Sequence, residues 1–223
     1  MKFELLGKRL AFIIAHPDDE SFLAAGTIVA NKEAAGKSLI FCATLGEQGR
    51  AHLQKPVSEV QLKIIRKKEL QDVSTFLGVD RLLLGSLPDY KLSICEDAMY
   101  ARAMKELKKW KPDIVLSFGK DGFSGHLDHI AVGKVAKRIS KDIRLPFVAF
   151  SASPVQIHRA ETLKERRKLG VYTKRIFYQH PNYKIKIKSG VKEKALSFHV
   201  SQHGGGILFQ GIPPAAIRQN VGI

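Results

Sequence analysis

The chain has 223 residues, 44% hydrophobic and 26% charged, the size and composition of one globular domain with room for a sizeable core. No apolar run approaches the roughly 18 residues that span a bilayer, no signal-peptide pattern opens the sequence, and two cysteines, Cys42 and Cys95, exclude a disulfide framework. The formal charge of +16 is lopsided, with 14 Lys/Arg against 3 Asp/Glu in residues 143–223, so charge alone would attract nucleic acid, an anionic surface or an anionic substrate.

In chain order, Leu10–Ala15 is a short unbroken apolar run, the pattern of a buried parallel strand. It stops at His16-Pro17-Asp18-Asp19-Glu20, where Pro17 cannot extend a sheet ladder. A helix is expected over Ser21–Ala35, ending at Gly36, and a second strand over Ser38–Thr44. After the loop Leu45–Val57, Ser58 and Gln61 form a capping-box pattern that opens a basic amphipathic helix, stopped at Gly78. Arg81–Gly85 reads as a third strand, followed by a turn at Leu87-Pro88-Asp89-Tyr90, and Glu96–Trp110 as a helix stopped by Lys111-Pro112. Asp113–Phe118 is the fourth strand, His129–Ser140 the next helix and Pro146–Phe150 the fifth strand.

Beyond Ser151 the pattern loosens. It suggests a basic helix at Glu161–Leu169, strand-like pieces at Val171–Phe177 and Tyr183–Ile187, and a helix at Val191–His199. An irregular tail is expected after Gly204-Gly205-Gly206. The β-then-α alternation predicts an α/β fold, a Rossmann-like doubly wound, mainly parallel sheet of order 3-2-1-4-5 flanked by helices. One domain is expected over 1–223, with its core at 8–150 and a smaller, irregular, basic part at 151–223.

Two of these strands end in chemistry. His16 and Asp19 are three residues apart at a strand-to-helix corner, a spacing from which an imidazole and a carboxylate can reach one divalent ion, with Asp18 beside it to accept a proton. The bland reading of the same residues is a helix cap and a loop histidine. The Gly-rich loop after the fourth strand carries His126, Asp128 and His129. Two histidines and one carboxylate are the composition of an open catalytic metal site, and a helix start with an acidic cap is the bland alternative. In a 3-2-1-4-5 sheet, strands one and four are neighbours whose loops leave on opposite faces, which opens a crevice where both clusters meet.

Taken together, His16-Pro17-Asp18-Asp19-Glu20 and His126-Leu127-Asp128-His129 resemble the paired motifs of the PIG-L/LmbE-like family of zinc-dependent N-acetylglucosaminyl deacetylases. Gly46-Glu47-Gln48-Gly49-Arg50, then Arg66, Glu69 and Leu77-Gly78, then Lys192, Ala195-Leu196, His199 and Ser201-Gln202 extend the likeness over about residues 8–203. The resemblance implies a Zn2+ site made of His16, Asp19 and His129; Fe2+ or another divalent ion suits the same ligand types. It implies Asp18 as the general base for a zinc-activated water, and His126 as the group that steadies the oxyanion and protonates the departing amine. Asp128 would hydrogen-bond His126 and favour its charged form.

Arg50, Glu47 and His199 are expected at the substrate, a small-molecule N-acetylglucosamine conjugate. Nucleic acid and a transmembrane segment are not required, a cytoplasmic location is the default, and homo-oligomerisation stays open. Two departures stand out: Leu127 replaces the family's usual proline, and Ser124 stands where some members have a tyrosine that helps the oxyanion. A nucleotide-binding module of the same fold is the rival, but no G-x-G-x-x-G follows the first strand and no Walker A is present. A purely electrostatic nucleic-acid binder is the other, resting on the basic C-terminal third alone.

Overall fold

The computed structural model describes residues 4–49, 53–151, 183–203 and 218–221. The apolar runs form β1 (Arg9–Ile14), β2 (Lys37–Thr44), β3 (Arg81–Leu87), β4 (Ile114–Phe118) and β5 (Phe147–Ser151). All pairings among these five strands are parallel, in the order β3-β2-β1-β4-β5, as expected. Phe12, Ile13 and Ile14 of β1 have no exposed surface, as a central strand covered on both faces requires. Each such side chain contributes about 1.5–3 kcal/mol of burial.

The helices cover the sheet. Ser58 caps α2 (Glu59–Leu77) through the reciprocal bonds with Gln61 foreseen from the sequence, and Gly78 ends it at φ 72°. Then come α3 (Glu96–Trp110), stopped at Lys111 before Pro112, and α4 (Leu127–Asp142). The helix expected over Ser21–Ala35 is different: it opens with a wide π-turn over Glu20–Ala24, and only Ala25–Glu33 is α1. The wider turn lets the consecutive residues Glu20 and Ser21 both face the interior, each with no exposure. Two short helices follow late in the chain, α5 (Val191–Leu196) and α6 (Val200–His203), packed near α1 and α2.

The tail is not wholly irregular. β6 (Tyr183–Lys184) and β7 (Arg218–Val221) add to the sheet, and β7 pairs antiparallel with both β5 and β6. Parallel pairing needs a crossover, whereas an extended segment can join a free edge directly in antiparallel sense. Strand-like pieces can therefore extend the sheet without the β-α rhythm that marks the core. The expected elements at Glu161–Leu169 and Val171–Phe177, like Arg50, lie outside the described residues. Among the described residues, no helix is long and apolar enough to cross a membrane.

Candidate active site

Four strand ends build the site. After β1 the chain turns at Asp18, whose φ of 112° lies in the left-handed region and costs a residue with a side chain on the order of 1–3 kcal/mol. Three contacts hold it there. Its N–H donates to the Glu20 carboxylate at 3.0 Å, its carbonyl accepts from the Ser21 and Phe22 amides, and its carboxylate meets Arg66 Nη2 at 3.2 Å. Asp19 folds back on the strand end, accepting from the Ala15 and His16 amides at 3.1 and 2.9 Å. It therefore does not cap the next helix.

Arg66 comes from α2 and is nearly fully buried. It donates to the carbonyls of Gly46, at 2.8 Å, and Pro17, so it ties the loop after β2 to the loop after β1. Gly46 has φ 68°, and a Cβ there would lie 2.1 Å from Arg66 Nη1. The position leaves no room for a side chain. Glu47, expected at the substrate, accepts from the Asp89 amide at 3.3 Å and lies 3.8 Å from Lys63 Nζ.

The two ligand corners meet at His16 and His129. His129 Nδ1 lies 3.0 Å from the Gly122 carbonyl oxygen, which can only accept, so Nδ1 carries a proton and Nε2 presents a lone pair. Its ring stacks on Phe118, centroids 4.1 Å apart. His16 Nε2 faces two carboxylates, Asp89 at 3.0 Å and Asp128 at 3.3 Å, and is likewise the protonated nitrogen. The inward nitrogens, His16 Nδ1 and His129 Nε2, are 3.2 Å apart, and Asp19 Oδ1 is 3.3 Å from His129 Nε2.

The donor set fits a divalent cation. His16, Asp19 and His129 each offer a ligand atom, and these atoms all lie within 4.8 Å of one another. Both imidazoles are oriented from behind by oxygen acceptors, the arrangement that fixes the tautomer of a metal-binding histidine. Charges agree. Burial opposes a charge on His16, but hydrogen bonds to Asp128 and Asp89 and the charge of Asp19 outweigh it and push its pKa up to about 10. That proton occupies the place a cation would take. Burial also opposes the Asp19 carboxylate, yet His129 and His16 hold it well below the usual range.

Asp18 differs from its neighbour: burial lifts its carboxyl to about 6 in spite of the nearby Arg66 guanidinium. His126 departs from the expectation. Burial, helped by the charges of His16 and His129, lowers its pKa to about 4, so the ring is neutral and not the charged form anticipated. Its Nδ1 accepts from the Asp128 amide at 3.2 Å, which caps α4 and leaves the proton of the neutral ring on Nε2. The Asp128 carboxylate has other partners, the Tyr90 and Leu92 amides at 2.7 and 3.1 Å and His16 Nε2. Asp128 thus locks the turn after β3 against the histidine it orients, and that histidine is His16.

His199 is wholly buried, with Nε2 2.6 Å from Glu20 Oε1. Among the described residues its ring nitrogens face the Glu20 and Glu69 carboxylates, at 2.6 and 4.0 Å. Sequence reasoning overlooked Asp89. Its signal was present: it follows Pro88 at the carboxyl end of β3, and strand ends are where such a sheet gathers its site.

Comparisons with known proteins bear on the family and the fold. The model of the PIG-L family, GlcNAc-PI de-N-acetylase, matches residues 11–140. A probable N-acetyl-alpha-D-glucosaminyl L-malate deacetylase 2 of Bacillus anthracis is 33% identical over 129 residues, 57% of this chain and 57% of that protein. A 1D-myo-inositol 2-acetamido-2-deoxy-alpha-D-glucopyranoside deacetylase of Nakamurella multipartita is 31% identical over 154 residues, 57% of this chain and 53% of that protein. The chain thus spans a little over half the length of these curated relatives. In fold it is similar to the N,N'-diacetylchitobiose deacetylase of Pyrococcus horikoshii, with a TM-score of 0.66 at 22% identity, covering 87% of this chain and 70% of that one. It is similar also to the 4-carboxy-2-hydroxymuconate hydratase of Pseudomonas putida, with a TM-score of 0.67 at 19% identity, covering 88% and 80%. With the family model matching more than half of its residues, the chain belongs to the PIG-L, LmbE-like family of GlcNAc-PI de-N-acetylases.

Proposed function

We propose that this chain is a metal-dependent N-deacetylase that hydrolyses the acetamide of an N-acetylglucosamine-containing small molecule. The observation that carries this is the convergence of His16 Nδ1, Asp19 and His129 Nε2, with Asp18 next to Asp19 in the chain, in a member of a de-N-acetylase family. When bound, a divalent cation such as zinc supplies Lewis acidity, polarising the amide carbonyl and acidifying water. The chain's own residues do the rest.

Asp18, anchored by Arg66 and held in a left-handed turn, takes the proton of the attacking water. His126, neutral with its proton on Nε2, donates a hydrogen bond to the oxygen that becomes negative. Asp18 then returns its proton to the departing nitrogen as the carbon–nitrogen bond breaks, so that the free amine and acetic acid leave, the acid losing its remaining proton to solvent as acetate, and the Asp18 carboxylate is regenerated. Asp89 and Asp128 hold His16 in the tautomer that points Nδ1 inward.

The test is acetate release from N-acetylglucosamine conjugates of malate and inositol, with metal content measured on the same sample. Acetate release that chelation abolishes and added zinc restores is the expected result. A metal-loaded protein that releases no acetate from any N-acetylglucosamine conjugate overturns the reading, and hydration of an unsaturated acid in its place would point to the chemistry of the structurally similar hydratase.

A further inference from the structure

A glutamate with no exposed surface is costly unless its charge is paired. Glu20 is such a residue, and its two oxygens have separate tasks. Oε1 accepts from His199 Nε2 and from Ser21 Oγ, each at 2.6 Å, and Oε2 accepts the Asp18 N–H at 3.0 Å. His199 lies 179 residues from Glu20 in sequence and has no exposed surface either. Two residues further on, Ser201 donates from its amide and its hydroxyl to Glu69, both at 2.7 Å. Glu69 lies on α2, the helix that also supplies Arg66. The backbone and the side chain of Asp18 are therefore gripped by two arms, Glu20 and Arg66, and residues 199–201 bear on the roots of both.

We propose that His199 is a positioning residue. By fixing Glu20 it holds the Asp18 amide, and with it the left-handed turn that aims the Asp18 carboxylate at the attacking water. This rests on the reading of Asp18 as the base. A histidine that merely fills the core would alter the amount of folded protein, whereas one that aims Asp18 alters turnover at each folded site.

The experiment compares wild type, His199→Leu and His199→Gln as zinc-loaded full-length chains. It measures kcat and KM for acetate release per bound metal, and the amide resonance of Asp18 by NMR. His199→Leu is expected to lower kcat on the order of 100-fold, the cost of a small misplacement of a reacting group, with KM and metal content unchanged and the Asp18 amide shifted. His199→Gln, which offers an N–H where Nε2 stood, is expected to recover most of the loss and the wild-type amide position. Wild-type kcat per bound metal in His199→Leu, or a His199→Gln no better than His199→Leu, overturns the proposal. If the leucine variant does not fold, Glu20→Gln decides. A shifted Asp18 amide with kcat lowered at constant KM supports the proposal, and an unmoved amide overturns it. If the wild type releases no acetate, the function falls, while the amide shift in either variant still decides the positioning.

Discussion

Beyond β4 the chain reaches His129 by local means. Gly122, Phe123 and Gly125 all adopt positive φ, backbone bonds within residues 119–130 close the turn, and His129 then sits in the first turn of a regular helix. Beyond β1 the chain holds Asp19 through the nearby Ala15 and His16 amides but reaches Asp18 by distant means. A non-glycine residue is held at φ 112° by Glu20, Arg66 and, through Glu20, His199. One corner is written in its own dozen residues and the other is imposed by partners from α2 and from the segment near α6. The locally built corner presents one proposed ligand, His129, while the other presents the proposed base beside the proposed ligands His16 and Asp19. A strained position persists only where its surroundings over-determine it, so the proposed base sits where the fold invests most.

The largest break of this comparison is His129→Ala. It is expected to take metal content from about one ion per chain towards none, as for an open site that relies on three protein ligands, read by atomic emission. Next is Asp18→Asn, which keeps the metal and lowers kcat by about 10²–10⁴-fold, the range for a lost general base, read by steady-state acetate release. Asp128→Asn should follow, weakening metal affinity about 10–100-fold through loss of His16 orientation, read by competition with a chelator.

A subtler effect concerns the pH dependence of stability. The His199 pKa is raised, since the charge of Glu20 and its hydrogen bond outweigh burial. Its stabilisation is therefore fully present below the ordinary value of 6.5 and is lost as pH rises through the raised folded value. Glu20 is lowered, since His199 outweighs burial, so its stabilisation is present above 4.5 and is lost as pH falls through the depressed value. Tm should be highest between about 4.5 and 6.5 and fall on the alkaline side, and His199→Gln should flatten that fall in calorimetric scans. The smallest effect sharpens the contrast from the other side. Ser124→Ala should change metal affinity by less than about threefold, because the Gly122 carbonyl at 3.0 Å orients His129 without help from Ser124 Oγ at 3.3 Å.

This contrast also explains what the sequence disclosed. Strand runs, the Ser58 cap and the Gly78 stop act through near neighbours, so the five-strand parallel core was legible from periodicity and turn residues. The His/Asp clusters were legible because strand ends gather ligands, and the family resemblance pointed to the same residues. The partners of Asp128 and His199 were not. Which buried groups a carboxylate meets depends on how β3 and the late helices fold back, and no local spacing encodes that. The family resemblance pairs Asp128 with His126, two residues back, whereas in the structure its carboxylate meets His16, Tyr90 and Leu92. The antiparallel strand β7, between β5 and β6, escaped for a similar reason: four residues that join the sheet at the free side of β5 carry no period of their own.

The clasp near α6 also orders events in time. Strands β1 to β5 and their helices are complete by residue 151, and domains take shape from the N-terminus as the chain emerges at about 5–20 residues per second. The sheet and the His126–His129 corner can therefore form while residues 199–201 are still unmade. Until they arrive Glu20 lacks its bond from His199 and Glu69 its bonds from Ser201, and the turn at Asp18 lacks that brace. On the proposed roles, the nascent chain would hold its metal-binding residues before its base is braced.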